Sequence, residues 1–466
     1  MIDRLSNKGN GKIAMNLANI LIYEIVFLAI IMTSYIDYFF YYSNGYLVFF
    51  IIYLILFIAF GEMFDSFNIG DTTTTDLFLS HILTLLFTDI VIYFPLILIT
   101  YRLIPIGPIF LMFVIQVVLT AILLLLENRY IRRNFPPVKV VAIYGESHYN
   151  LIGKLNNVRD LSISVIKKVD LVDVDYDKID ELLKGADGIV TLDVHHENKK
   201  KLFKACYQRK LLIYDVPSIT DMLLASSDIL HMVDTPILKI NKFGPSQMEK
   251  FLKRTIDIVG SIILLVVTSP LFLVSAIATK AYDGGDIFYK QIRLTEDEKQ
   301  FKIIKFRSMI MNAEKGTGAV LAKENDDRIT PVGKFLRKTR FDELPQLINI
   351  LKGEMSFVGP RPERPEIYDE ISKSMPEFRY RLVVKAGLTG YAQIYGKYNT
   401  SLRDKLLLDL YYIENYRLID DIKLLLLTLK IVFNKDATEG IIDNEISQED
   451  IDNIDKKEII EDIDKA

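Results

Sequence analysis

The chain has 466 residues, enough for two or three domains that each bury a core. Half of the residues are hydrophobic and mean hydropathy is +0.22, too high for an ordinary soluble enzyme and too low for a protein that is membrane from end to end. The net charge of −4 argues against nucleic acid, a single cysteine (Cys206) excludes an internal disulfide framework, and five scattered histidines speak against a zinc site.

Four apolar stretches, about 13–36, 46–63, 77–101 and 106–126, approach or exceed the ~20 residues a helix needs to cross a hydrocarbon core. They predict a four-helix transmembrane bundle over 1–134. The first stretch reads as a retained span, since no small-residue cleavage site follows it. Arg4, Lys8 and Lys12 precede the first stretch, and Arg129, Arg132, Arg133 and Lys139 follow the last, whereas 36–45 holds no Lys or Arg. The positive-inside rule then puts both ends of the bundle in the cytoplasm. Glu24 and Asp89 fall within spans, where an acid either turns into the bundle or serves a function.

From Val138 the pattern changes to short β-rich runs, VKVVAIYG at 138–145, LSISVIKKV at 161–169, DGIVTLDV at 187–194 and LLIYDVP at 211–217, separated by amphipathic stretches. That alternation predicts a small Rossmann-like α/β domain over 135–246 with a parallel sheet. Gly145 and Gly153 do not make the close glycine spacing of a dinucleotide loop, so a structural or regulatory role is expected, and a homodimer contact is placed here.

An α-rich domain over 247–433 carries the chemistry. Its first part, 256–282, is long enough to span, but basic residues flank both ends and Ser269-Pro270 sits at its centre. Proline removes a helix hydrogen bond, so a re-entrant membrane helix is expected. A true crossing would also carry everything downstream to the outer face, away from the side on which the bundle ends. The tail, 434–466, is acidic and without aromatics, and is expected to be disordered.

Three motifs cluster downstream: FKIIKFRSM at 301–309, the run from Asn325 to Glu363 containing FDELPQL and GPRP, and KAGLTGYAQIYGK at 385–397. In FDELPQL, Pro345 is expected in the first turn of a helix, which places Asp342 and Glu343 at an N-terminus that favours anions. Neighbouring helical residues diverge by about 100°, so one acid can attack phosphorus while the other holds Mg²⁺. Arg337 and Arg361 supply cationic clamps, and Gly359 allows close approach. An acid pair by itself is more often a cap; the neighbouring basic and glycine-rich runs turn the reading towards a phosphate site. Lys305 and Arg307 suit either a phosphate or anionic lipid headgroups. Tyr391 and Gln393 suit a base or a sugar, or core packing.

These residues resemble the bacterial polyprenyl-phosphate sugar-1-phosphate transferases in their large form. The resemblance rests on KRTIDIVGSIILLVVTSPLFL, DIFYKQIRL, KIIKFRSM, the Asn325–Pro362 run, KAGLTGYAQIYGK and LLLDLYYIENYRLIDDIKLL, in matching order and spacing over about 253–433. Upstream the match is one of layout only. It implies transfer of a sugar 1-phosphate from a UDP-sugar to undecaprenyl phosphate with release of UMP, an early step of exopolysaccharide, capsule or O-antigen synthesis at the bacterial inner membrane. Asp342 would be the nucleophile and Glu343 the Mg²⁺ ligand. Lys305, Arg337 and Arg361 match the family's basic site residues, Ser269 and Pro270 its helix break, and Asp409 and Asp421 acids placed near the site, with Asp420 an alternative to Asp421. The segment 312–329 and GKYN at 396–399, where relatives show an asparagine, depart from the pattern and leave the sugar undefined. The competing expectations are a membrane scaffold that no longer turns over and a transporter, for which the spans are too few.

Overall fold

The computed structural model describes residues 2–39, 45–70, 72–100, 103–145, 163–174, 178–192, 194, 196–232, 234–240, 244–311, 326, 328–396 and 400–433. They divide into two compact units that part between Ser218 and Ile219.

The first unit opens with four helices, α1 (Ile2–Ile30, continued by a π-helical turn to Tyr35), α2 (Gly45–Met63), α3 (Thr74–Thr100) and α4 (Gly107–Asn134). All four contain stretches long and apolar enough to cross a membrane, as the hydropathy predicts. They turn their aromatic side chains inward: Tyr23, Phe27, Tyr53 and Phe57 are buried, and the Phe27 and Tyr53 rings stack at 4.2 Å. Polar residues go inward too. Gln116 donates to the Tyr53 hydroxyl at 2.7 Å, Tyr53 donates to Asp89 at 3.2 Å, and Tyr23 shares a 2.8 Å bond with Thr120. Glu24 and Asp89 are both buried within the bundle.

Strands β1 (Val138–Tyr144), β2 (Ile163–Asp170), β3 (Gly188–Leu192) and β4 (Leu212–Asp215) follow, with helices α5 (Ile179–Leu182) and α6 (His196–Gln208) between them. The sheet is parallel throughout in the order β2-β1-β3-β4, the α/β domain expected from the alternation. Every residue of β3 is buried, as in a strand covered on both faces. Of the weak glycine pair only Gly145 lies among the described residues; Gly153 lies outside them.

The second unit begins with α7 (Ile219–Ala225) and the antiparallel hairpin β5 (Asp228–Met232) and β6 (Thr235–Lys239). Helix α8 (Gln247–Val267) starts with a capping box in which Ser246 and Glu249 satisfy each other's backbone donors. It meets α9 (Ser269–Asp283) at a bend of 64°. Pro270 has no N–H to offer the Val266 carbonyl, and the Ser269 hydroxyl takes that place at 2.7 Å. The break is therefore satisfied from within.

One face of α8 is fastened to the rest of the unit. Arg254 donates to the carbonyls of Ile350 and Leu351 at 2.6 and 2.7 Å, and Lys253 pairs with Asp421 at 2.6 Å. Asp257 accepts from the Ser356 hydroxyl and the Phe357 N–H, each at 3.0 Å. The other face of α8, with the outer face of α9, is exposed and apolar, Val266, Val267 and Leu273 being 61–69% exposed.

The rest comprises β7 (Phe288–Leu294) and β8 (Gln300–Phe306), antiparallel; α10 (Pro331–Lys338); a 3₁₀ turn (Phe341–Glu343); α11 (Gln346–Lys352); and β9 (Ser356–Val358) paired in parallel with β10 (Gly387–Thr389). Between and after these lie α12 (Pro365–Ser374), α13 (Tyr391–Tyr395), α14 (Leu402–Glu414) and α15 (Leu418–Phe433). A core of Phe301, Ile303, Leu347, Ile350, Phe357 and Tyr412 joins β8, α11, β9 and α14. The acidic tail and most of the 312–329 segment lie outside the described residues.

Candidate functional site

Helix α10 starts on the Thr330 cap, with Pro331 at its first position, and ends in Arg340, which takes the left-handed conformation at φ 60°. That reversal sends the chain into the 3₁₀ turn that carries Asp342 and Glu343. Pro345 has helical angles but stands immediately before α11, so the acid pair sits one turn ahead of the helix rather than inside its first turn. The expected placement at the helix N-terminus is corrected to this extent. Arg340 must use a rarely occupied region of backbone space, which only a tertiary setting enforces.

Glu343 lines an open cleft of about 260 Å³ together with Arg293, Lys305, Gln346, Arg361, Pro362, Gly387 and Leu388. Strand β8 brings Lys305 to Glu343 Oε1 at 2.7 Å, and the GPRP turn brings Arg361 Nη2 to the same oxygen at 4.0 Å. Gly359 permits that turn, because a Cβ there would meet the Lys385 carbonyl at 2.3 Å. Asp342 is 8% exposed and lies beside Glu343.

The two acids are set in opposite directions. Burial, and then the Glu343 charge, raise Asp342 to about 6 against the pull of Lys305, Arg337 and Arg340. Burial also pushes Glu343 up, but Lys305, Arg361 and Arg340 outweigh it and hold this carboxylate below its ordinary range. One group is poised near neutrality while its neighbour stays charged.

Other residues singled out from the sequence lie elsewhere. Arg307 donates to Asp283 through both terminal nitrogens and to the Asp286 carbonyl at 2.6 Å, locking the end of α9 to the start of the β7–β8 hairpin. Asp409 is buried against Arg381 at 2.7 Å, and Asp421 accepts from Lys253, Tyr412 and Tyr416 at 2.6–3.0 Å; neither lines the cleft. Of the two candidates in DDIK, Asp421 is the buried one and Asp420 is half-buried. Gln393 also stands outside the cleft lining, on α13. Arg337 stays near enough to Asp342 to lower it. Arg293 was not singled out, although it lines the cleft. Its signal is the alternation in YKQIR, which places Gln291 and Arg293 on one face of β7, where Arg293 Nη2 donates to Gln291 at 2.6 Å.

Among the described residues no group of three or more acids, histidines and cysteines is arranged to hold a metal ion. Glu343 is the one carboxylate lining the cleft, and both cations approach its Oε1. That leaves Oε2 as the protein's oxygen for a hard cation, a donor set that suits Mg²⁺, which takes one or two carboxylates and completes its shell from substrate phosphate and water.

Residues 248–435 match the family model described as bacterial sugar transferase. The exopolysaccharide production protein ExoY of Sinorhizobium fredii is 38% identical over 197 residues, 39% of this chain and 84% of that protein. The chain belongs to the bacterial sugar transferase family. Other relatives are the UDP-N-acetylgalactosamine-undecaprenyl-phosphate N-acetylgalactosaminephosphotransferase of Aeromonas hydrophila, 34% identical over 50% of this chain and 55% of that protein, and the undecaprenyl-phosphate galactose phosphotransferase of Salmonella typhimurium, 36% identical over 48% and 49%. The chain thus spans about half the length of these two sugar transferases. The matched region of the family model holds the bent helix pair, the cleft and both acids.

Proposed function

We propose that this sugar transferase moves a sugar 1-phosphate from a UDP-sugar to undecaprenyl phosphate, in two displacements at Asp342. The observation that carries this reading is the adjacent pair of acids with opposed electrostatics, of which Glu343 lines a cleft together with Arg293, Lys305 and Arg361. In the first displacement an Asp342 oxygen attacks the phosphorus that bears the sugar, and the bond to the bridging oxygen breaks, releasing UMP with the electron pair. In the second, an oxygen of the lipid phosphate attacks the same phosphorus and the aspartyl bond breaks, restoring the carboxylate. Arg361 and Lys305 neutralise phosphate oxygens, so that an anionic nucleophile can approach. Glu343 would hold Mg²⁺, which when bound supplies further charge neutralisation on the diphosphate.

The membrane setting belongs to the same proposal. Helices α1 to α4 cross the bacterial inner membrane with both ends in the cytoplasm, and α8 and α9 enter and leave from that face as a re-entrant pair. The exposed apolar face opposite the Arg254 and Asp257 attachments supports this arrangement. The product is the undecaprenyl diphosphosugar that begins an exopolysaccharide, capsule or O-antigen chain.

The test is UMP release from full-length protein in lipid nanodiscs, supplied with Mg²⁺, polyprenyl phosphate and each of a panel of UDP-sugars. Wild type should turn over with at least one sugar. Asp342→Asn should lose at least about 10³-fold, because an amide oxygen cannot open the covalent route; turnover near wild type would remove Asp342 as the nucleophile.

A further inference from the structure

The turn that carries Arg361 has no regular secondary structure, yet four consecutive carbonyls in it are each held from outside. Pro360 O accepts from Gly387 N at 2.9 Å, Arg361 O from Arg381 Nη2 at 3.3 Å, Pro362 O from Arg293 Nη1 at 3.1 Å, and Glu363 O from Leu294 N at 3.1 Å. With Pro360 and Pro362 contributing no N–H, the turn has few donors of its own to fix it.

Arg381 is 4% exposed, and a buried guanidinium is costly unless its charge is met. Asp409 meets it at 2.7 Å, the Phe378 ring lies 4.5 Å from it, and the Tyr368 hydroxyl accepts at 3.4 Å. Asp409 also accepts from the Ala392 N–H on α13, the helix that bears Gln393. One buried carboxylate is therefore joined directly to the backbone of α13 and, through Arg381, to that of the Arg361 turn, while having no place in the cleft lining itself.

We propose that Arg381 and Asp409 are a positioning pair for Arg361. Asp409 orients the fork of Arg381, Arg381 holds the Arg361 carbonyl from behind, and Arg293 holds the next carbonyl from the cleft side. The Arg361 guanidinium, itself 46% exposed on its side chain, is thereby delivered to Glu343 by a backbone that cannot drift. Asp409 acts on the reaction through this chain of contacts and not on substrate. The kinetic part of this proposal rests on the transferase reading; the structural part does not.

Arg381→Lys in the full-length protein keeps the charge but cannot bond Asp409 and the Arg361 carbonyl with one planar fork. For UMP release, kcat should fall about 10- to 50-fold with KM for the UDP-sugar changed less than about threefold, since misplacing a clamp costs the transition state more than the ground state. Asp409→Asn should show the same split. The double variant Arg361→Ala/Arg381→Lys should be no slower than Arg361→Ala alone within about threefold, because the second change acts through the first. Losses that multiply would overturn the proposal.

An arm independent of turnover follows amide hydrogen exchange at Gly387 and Leu294, whose N–H groups donate to the Pro360 and Glu363 carbonyls of the turn; it should quicken about tenfold in Arg381→Lys and Asp409→Asn, with β9 unchanged. Unchanged exchange there overturns the proposal even if activity falls. Wild type without UMP release would defeat the transferase reading and leave this arm to decide the positioning. If Arg381→Lys loosens the whole unit, Arg293→Lys, at the cleft rim, replaces it under the same criterion.

Discussion

Polar side chains are buried beside apolar helices in two regions of this protein, and the two regions use them differently. In the bundle, Tyr53, Asp89 and Gln116 bond helix to helix, and the outward surface is left to Phe94, Leu98 and Leu125. Along α8, three polar groups instead hold different pieces of the second unit: Arg254 the end of α11, Asp257 the start of β9, Lys253 the start of α15. The bundle's contacts resemble one another and can compensate for one another. Those of α8 are individually committed, so this helix is a structural member of the second unit as well as an apolar surface.

The difference can be broken most severely at the bend. Replacing Ser269 and Pro270 together by leucine restores the missing N–H and favours one long helix across the break. Activity should fall at least about tenfold by loss of geometry alone, and a tag appended at the C-terminus should become accessible from the opposite face of sealed vesicles. A tag that keeps its side with full activity would refute the re-entrant reading.

A matched pair of substitutions sharpens the contrast. Asp257→Ala strands the Ser356 hydroxyl and the Phe357 N–H and should cost about 2–3 kcal/mol, read from thermal unfolding in detergent. Tyr53→Phe removes a comparable contact in the bundle and should cost about 0.6 kcal/mol, typical for hydrogen bonds between membrane helices. Equal costs would show that the two regions are held together in the same way.

The smallest effect is a titration in the second unit alone. Asp342 stands at about 6, so it is mostly carboxylate at neutral pH, half-protonated at that value and mostly acid a unit below it. Only the carboxylate attacks, and UMP release at low substrate should fall about tenfold per pH unit below that value and level off above it. A limb centred near the ordinary carboxyl value would mean that burial does not tune this acid.

Hydropathy and strand alternation were enough to read four apolar helices and a parallel α/β domain, because both signals are local and periodic. The acids and their nearest cleft cations, Lys305 and Arg361, were also legible, since motif spacing already put them in one domain. What escaped depends on partners remote in sequence. Arg307 is paired with Asp283 and Asp409 with Arg381, partners that neither motif contains. Arg293, inside DIFYKQIRL, and Arg381, outside every motif, were passed over because each holds a backbone carbonyl, 69 and 20 residues away, which no residue type announces. Arg340 is a similar case: a non-glycine left-handed residue shifted the acid pair by a turn.

The Arg254 contact gives α11 a second use. Its C-terminal carbonyls are tied to α8, and the acid pair stands just before its N-terminus, so the seven-residue helix is a spacer of about 10 Å between anchor and acid pair. Adding or removing one turn would shift the acids by about 5 Å and rotate them, with no catalytic side chain altered. On the proposed function, the distance between the membrane-facing helix pair and the reacting acid is thus set by helix length, and is separable from the choice of sugar.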